Sequence, residues 1–348
     1  MSVQSILLLL GSFALIFLVL VDGFEAMVLP RRVSRRLRLA RFFYRYTWMP
    51  YSAIARRMAN GRRRGTFLSL YGPLSMLVLL ALWAILLIVG FSMFYMACEA
   101  SLHGAGGKPD FLTYFYLSGV TFFTLGFGDV TATGTFGRLI AVSEAGMGFG
   151  FLAVIIGYLP VLYQSFSRRE INISLLDARA GSPPSAGQLL IRLASTGNLS
   201  TLNSFLQEWE RWSAEVLESH LSFPMLCYYR SQHDNQSWLA ALTAILDTCA
   251  VVLALMHDAA PYQAEVTLAI GRHAVVDLAL VFNTPPEMPE PNRLSPDDLR
   301  KFSVALRKAG LNIREGAAVE AKLSELRGIY EPYVAGLAKY FLFPLPPI

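Results

Sequence analysis

The chain has 348 residues, of which 54% are hydrophobic and 16% charged, and its formal net charge is +5. Ordinary globular proteins carry about 25% charged residues, so the composition is unlike that of an ordinary globular chain and agrees with a membrane protein that has a substantial soluble part. The basicity is local, because residues 31–64 hold twelve arginines and no acidic residue. The remainder of the chain is therefore net acidic.

The first apolar segment, residues 5–21, is bounded by Asp22 and Glu25. No Lys or Arg precedes it, whereas a secretory signal begins with positive charge. We therefore expect an uncleaved transmembrane helix, which makes up a first region of residues 1–29. The arginine-rich region 30–65 follows, and by the positive-inside rule it is cytoplasmic, with the N-terminus outside.

Aromatic residues accompany the arginines of this region, among them Phe42, Tyr46 and Trp48. The pattern predicts an interfacial helix with rings at headgroup depth and with anionic lipid as the partner of residues 31–64. Nucleic-acid binding is the competing interpretation, and the nearby membrane spans argue against it. A voltage sensor is disfavoured because arginines this dense would not cross a membrane.

Two long apolar segments come next. Residues 66–98 contain no Asp, Glu, Lys or Arg, and residues 139–166 contain one, Glu144. Both exceed the roughly 20 residues that a helix needs to cross the hydrocarbon core. Residues 111–123 between them are apolar but too short to span, and they suit a re-entrant helix. We assign residues 66–167 to one pore module.

A six-residue motif follows the re-entrant segment: Thr124, Leu125, Gly126, Phe127, Gly128 and Asp129. A ring of backbone carbonyls can replace the water shell of a monovalent cation. Glycine at alternate positions permits the backbone angles that aim successive carbonyls the same way. The Thr124 hydroxyl can add a further oxygen, and Asp129 at the outer mouth can attract cations.

This motif resembles Thr-Val-Gly-Tyr-Gly-Asp, the signature of tetrameric potassium channels, with Leu125 and Phe127 as mild departures. The resemblance covers roughly residues 70–166 and extends to prokaryotic and two-pore-domain-type pores. It implies an outer helix, a pore helix with filter and an inner helix, with K⁺ bound by the carbonyls of residues 124–127 and no other cofactor. One chain holds one motif, so a fourfold ring implies a homotetramer. The resemblance to prokaryotic channels implies a location in a prokaryotic plasma membrane.

The resemblance also draws attention to the support of the filter. In many family members the filter tyrosine bonds to aromatic residues of the pore helix. Here Phe127 has no hydroxyl, and the positions where a partner would be sought hold Tyr116 and Leu117. The tyrosine hydroxyl that donates in those family members and its usual pore-helix partner are thus both absent from this chain, so the two departures from the family pattern are consistent with each other.

Many family members hold a carboxylate on the pore helix, where this chain has Val120. Glu144 lies on the opposite helix, on the side that faces the back of the filter. An acid within the membrane is costly and by default functional, so we hypothesise that Glu144 bonds filter amides or Asp129. A partner on a neighbouring helix is the alternative.

Gly148 lies where similar channels place the glycine at which the inner helix bends, and close helix packing is the alternative role. Gly157 and Pro160 are expected to loosen or kink the helix near a cytoplasmic gate. Apolar residues that follow Gly148 at helical spacing are expected to line the cavity under the filter. The candidates are Phe149, Leu152 or Ala153, and Ile156.

After residues 168–187, predicted as a linker, residues 188–348 predict an all-α cytoplasmic domain with proline-rich breaks. Ser295 and Pro296 mark a helix start. Residues 238–256 are apolar enough to span, but Asp247 near the middle favours a buried core helix. No strand precedes a Gly-x-Gly-x-x-Gly motif, and the cysteines lack metal-site spacing.

The sequence thus predicts an all-α membrane protein: an extra N-terminal transmembrane helix, a potassium-channel-like pore module and a C-terminal helical cytoplasmic domain. The leading function is passive, potassium-selective conduction by a homotetramer, gated at the inner helix or the filter. The alternatives are a non-selective cation channel and a non-conducting sensor or scaffold that retains the pore fold. Nothing in the sequence supports an enzyme.

Overall fold

The computed structural model describes residues 2–29, 38–233, 235–257 and 261–348. These residues are mainly helical, with two short strands that pair as an antiparallel sheet. The helices and strands, in chain order, are α1 (Val3–Met27), α2 (Leu39–Arg57), α3 (Arg62–Ala97), β1 (Leu102–His103), α4 (Phe111–Phe122), β2 (Thr131–Ala132), α5 (Gly134–Ala180), α6 (Ala186–Ser195), α7 (Leu202–Ser222), α8 (Trp238–Leu255), α9 (Pro261–Phe282), α10 (Pro296–Lys308), α11 (Ala317–Gly328) and α12 (Glu331–Phe341), with short 3₁₀ turns at Leu199–Thr201 and Pro224–Tyr228.

Among the described residues, four helices are long and apolar enough to cross a membrane: α1, α3, α5 and α8. The helix α3 corresponds to the predicted span 66–98. The helix α5 begins before the predicted span 139–166 and continues to Ala180, so residues 168–180 are not a linker as we predicted. Ile173 and Leu176 are buried there, and this apolar packing accounts for the continued helix.

The chain divides into two compact units. The first comprises Met1–Pro50 and Pro73–Tyr163, and the second comprises Tyr51–Gly72 and Gln164–Ile348. The arginine-rich region 30–65, predicted as a separate linker, is therefore shared between the units. Its predicted interfacial helix corresponds to α2, while residues 30–37 lie outside the described part of the chain.

In the first unit, α1 packs closely against α3. A Cβ atom added to Gly90 would lie 2.7 Å from the Ile16 side chain, so the glycine permits the close approach that is common between membrane helices. The buried Asp22 carboxylate accepts hydrogen bonds from the Ala40 amide (2.9 Å) and from Trp83 Nε1 (3.0 Å). This one carboxylate therefore joins α1, α2 and α3.

The short helix α4 lies between α3 and α5 in sequence, and both of its flanks are fixed. Asp110 caps its N-terminus by accepting from the Thr113 amide at 2.8 Å, as N-cap aspartates commonly do. The strands pair Leu102 with Ala132 and His103 with Thr131. The sheet therefore closes a loop that contains both α4 and the six-residue motif.

In the second unit, α8 is the central helix, and 94% of its residues are buried within the protein. Asp247 at its middle pairs with Arg293 and accepts a hydrogen bond from the Tyr330 hydroxyl at 2.6 Å. A buried charge is tolerated when it is paired and hydrogen-bonded. The structure thus agrees with the expected core helix. The predicted start of α10 is also confirmed, because Ser295 caps it and Pro296 is its first residue.

Candidate functional site

The six-residue motif leaves α4 in an unusual backbone conformation. The amides of Thr124 and Leu125 still close the helix, donating to the carbonyls of Thr121 (3.0 Å) and Val120 (2.9 Å). From there φ alternates in sign. It is +56° at Thr124, +63° at Gly126 and +80° at Gly128, whereas the two residues between them are not in the positive region.

The positive φ of Thr124 is informative because threonine is β-branched. Such residues rarely adopt left-handed angles, and strain of this kind costs on the order of 1–3 kcal/mol and concentrates at functional sites. Glycine adopts the same angles without that cost. Thr124 therefore holds a conformation that its own chemistry disfavours, in register with Gly126 and Gly128.

The carbonyl groups of this motif are available for a ligand. Residues 123–129 are exposed in the single chain. Within the described part of the chain, the carbonyls of residues 124–128 accept no hydrogen bond. Free carbonyls along one strand are the chemistry that coordinates a dehydrated monovalent cation.

Contacts on both sides hold the end of the motif. The Tyr116 hydroxyl donates to Asp129 Oδ2 at 2.6 Å. This hydrogen bond holds the pKa of Asp129 below its usual range. On the other side, a Cβ at Gly104 would lie 1.8 Å from the Asp129 carbonyl oxygen. Tyr116, which we considered as a partner position for Phe127, thus serves Asp129 instead.

Glu144 is fully buried, and its partners differ from those we hypothesised. Its carboxylate accepts a hydrogen bond from the Tyr95 hydroxyl at 2.9 Å and another from the Ser118 hydroxyl. Ser118 Oγ also lies 2.9 Å from the Ile88 carbonyl. These partners belong to α3 and α4, so Glu144 bonds neighbouring helices rather than filter amides or Asp129. The sequence indicates Tyr95 and Ser118 only as hydroxyl-bearing residues within apolar segments.

Gly148 lies where α5 approaches the end of α4 closely. A Cβ added there would lie 1.9 Å from the Phe122 carbonyl oxygen, so only glycine permits this approach. The geometry provides a packing role for Gly148, the alternative to a hinge. The helix α5 runs without interruption past Gly157 and Pro160.

The four residues predicted to line a cavity all remain exposed in the single chain. Phe149 is 69% exposed, Leu152 54% and Ile156 64%, and Ala153 is also exposed. Such an apolar surface on a helix this long is suited to lipid, to a pore or to further copies of the chain. Within the described residues, no cluster of His, Cys, Asp or Glu could hold a metal ion.

These features define an integral membrane protein with a carbonyl-lined loop between two long apolar helices. Residues 78–164 match the family model described as "Ion channel" (Ion_trans_2). Protein LctB of Geobacillus stearothermophilus is 38% identical over 93 residues, which cover 24% of this chain and 69% of that protein. Protein LctB of Bacillus caldotenax is 36% identical over the same shares of the two chains.

The chain therefore belongs to the Ion_trans_2 family of ion channels. A longer but weaker similarity links it to YdjJ of Bacillus subtilis (strain 168), an uncharacterised membrane protein. The two are 27% identical over 184 residues, which cover 52% of each chain. No solved structure gives a significant match. The prediction of a channel-type membrane protein is thus confirmed at the level of the family.

Proposed function

We propose that the protein is a potassium-selective channel that conducts passively as a homotetramer. The observation that carries this proposal is the alternation of positive φ at Thr124, Gly126 and Gly128 beside unpaired carbonyls. Four such strands around one axis supply the stacked oxygen rings that replace the hydration shell of K⁺. Four copies are needed because each chain supplies one strand.

The remaining expectations complete this proposal. The N-terminus lies outside and the C-terminal helical unit is cytoplasmic, which opens the filter to the exterior of a prokaryotic plasma membrane. Residues 31–64 bind anionic lipid through their arginines. Phe149, Leu152, Ala153 and Ile156 line the cavity below the filter, and the exposure of these side chains in the single chain is compatible with that role.

Substituting alanine for Gly126 is expected to remove potassium selectivity. Alanine at φ +63° costs roughly 1–2 kcal/mol per residue, and four copies would distort one ring. The measurement is the reversal potential of purified protein in planar bilayers with K⁺ on one side and Na⁺ on the other. The wild-type current should reverse near the potassium equilibrium potential. The Gly126→Ala current should reverse near zero, or the variant should not conduct.

Gly106→Ala is the matched control, because Gly106 has a similar φ of +67° with nothing within 4 Å of an added Cβ. It should keep the wild-type reversal potential. A wild-type reversal near zero would replace the proposal with a non-selective cation channel. Silence of intact wild-type tetramers would favour the non-conducting sensor or scaffold.

Replacing Tyr116 with phenylalanine is expected to make the channel more sensitive to external acid. The lost hydroxyl stabilises the charged form of Asp129, so the pKa of Asp129 rises in the variant. A titration of inward current against external pH should therefore give a midpoint at higher pH than in wild type. Tyr114→Phe is the control, because the Tyr114 hydroxyl donates to the Ala100 carbonyl. Equal midpoints for Tyr116→Phe and wild type would contradict the proposed role of Asp129 at the mouth.

A further inference from the structure

The helix α5 carries a buried charge, Arg169, just beyond its predicted membrane span of residues 139–166. Residues 164–180 belong to the second unit, where one face of the helix is buried and the other exposed. Ile173, Leu176 and Arg169 lie on the buried face, whereas Ile171 and Leu175 are 58% and 50% exposed. Arg169 is therefore buried, whereas its neighbour Arg168 is exposed.

The Arg169 guanidinium binds acceptors on α5 itself and at the turn that follows α7. Its side chain is 2% exposed and pairs with Glu170 at 2.9 Å. It also donates to the carbonyls of Leu226 and Tyr229, each at 2.9 Å. Both carbonyls lie at or just after the 3₁₀ turn that follows α7. A planar guanidinium matches such a set of acceptors, and a lysine could not.

His220 completes the set from α7. Its Nδ1 lies 2.9 Å from the Val216 carbonyl, and its Nε2 lies 3.0 Å from Arg169 Nη1. Since Nδ1 must donate to the carbonyl, Nε2 accepts from Arg169 and the ring is neutral. Burial, and then the Arg169 charge, hold the pKa of His220 well below its usual range.

The backbone of α5 is bound at the same place. Trp212 Nε1 of α7 donates to the Arg169 carbonyl at 3.3 Å, so both the side chain and the main chain of residue 169 contact the α7 region. Apolar residues often fill a buried site as stably as an ion pair does. What the arginine adds is a fixed geometry for one point on α5.

We propose that Arg169 is a positioning residue through which the C-terminal helical unit controls the pore. The proposal rests on the proposed channel function. Because α5 is one helix from Gly134 to Ala180, it carries both the residues predicted to line the cavity and the point held by Arg169. A shift of α7 or of the following turn would move Arg169 and bias the rotation or bending of α5.

The test is single-channel recording of Arg169→Gln in planar bilayers, with Arg168→Gln as the matched control. Allosteric couplings commonly correspond to about 5- to 150-fold, so we expect at least a fivefold change in open probability. Single-channel conductance and reversal potential should stay at wild-type values, because the filter is untouched. Arg169→Lys should resemble Arg169→Gln, since its charge lacks the guanidinium fork, and Arg168→Gln should resemble wild type.

A wild-type open probability in folded Arg169→Gln tetramers would overturn the proposal, and so would a change of equal size in Arg168→Gln. Should Arg169→Gln fail to assemble, Trp212→Phe removes the hydrogen bond to the Arg169 carbonyl while a smaller aromatic ring stays in the buried site. It should shift open probability in folded tetramers, and no shift would overturn the proposal.

Hydrogen exchange separates this proposal from the proposed function. If wild type conducts no ions, the channel function fails. Whether Arg169 fixes the position of α5 is then tested by the hydrogen-exchange rates of the backbone amides of residues 164–180. Faster exchange in Arg169→Gln than in Arg168→Gln would support this role, and equal exchange would overturn it.

Discussion

Gly148→Ala is expected to abolish potassium currents and to destabilise the pore unit. The added Cβ would lie 1.9 Å from the Phe122 carbonyl oxygen and 2.8 Å from the carbonyl carbon, and backbone atoms cannot move aside as a flexible side chain can. Overpacking typically costs about 1–3 kcal/mol. Phe122 ends α4, two residues before Thr124, so any displacement there would reach the proposed filter.

Two neighbouring glycines provide controls on the same helix. An added Cβ at Gly146 or at Gly150 meets nothing within 4 Å in the single chain, and alanine favours a helix by up to about 1 kcal/mol over glycine. Thermal unfolding in detergent and current recordings would be compared for the three alanine variants. We expect a lower melting temperature and lost current for Gly148→Ala alone.

The same comparison separates the two roles predicted for Gly148. If close packing is its role, alanine lowers the stability of the protein and disturbs the filter. If its role is a hinge, alanine leaves stability unchanged or raises it and alters open probability only. Gly148→Ala protein with wild-type stability and wild-type currents would contradict both roles.

The backbone conformation of the two glycines in the six-residue motif was predictable from the sequence. Gly126 and Gly128 are residues that a left-handed conformation requires, and their alternate spacing already indicated the geometry. Thr124 was not predictable in the same way, because threonine does not favour positive φ. The hydrogen bond from the Leu125 amide to the Val120 carbonyl holds Thr124 in that conformation, because a left-handed residue commonly closes the end of a helix in this way.

The end of α5 was misjudged for a physical reason. Arg168 and Arg169 suggested the edge of the membrane, where a helix often stops. A hydropathy pattern cannot show that Arg169 pairs with Glu170 and is bound by two backbone carbonyls and by His220, 51 residues further along the chain. Long-range polar contacts of this kind depend on packing, and no local pattern encodes them.

Glu144 illustrates the same limit. Its position within an apolar segment of α5 drew attention to it, but its partners lie 49 and 26 residues away in sequence. The hydroxyls of Tyr95 and Ser118 come from α3 and α4, so the carboxylate joins α3 and α4 to its own helix α5 at one buried point. We expect this point, rather than a direct bond to the filter, to fix the height and tilt of α4.

Glu144→Ala is therefore expected to destabilise the pore and to reduce potassium selectivity. The change leaves the buried Tyr95 hydroxyl without this acceptor, and an unmade buried hydrogen bond costs about 1–3 kcal/mol, in addition to the cavity left behind. Tetramer melting temperature and reversal potential would be measured for Glu144→Ala, Tyr95→Phe and the double variant. Contacting residues give coupling energies of about 0.5–3 kcal/mol in such a cycle.

Ser92→Ala is the matched control for Glu144→Ala, because Ser92 is fully buried on α3 and its hydroxyl donates to the Ile88 carbonyl at 2.6 Å. It should change stability only slightly and selectivity not at all. Glu144→Gln should fall between wild type and Glu144→Ala, since the amide oxygen keeps one acceptor while the amide nitrogen cannot accept. Unchanged selectivity, open probability and tetramer stability in Glu144→Gln, with no coupling between Tyr95 and Glu144, would show that α4 is positioned by apolar packing alone.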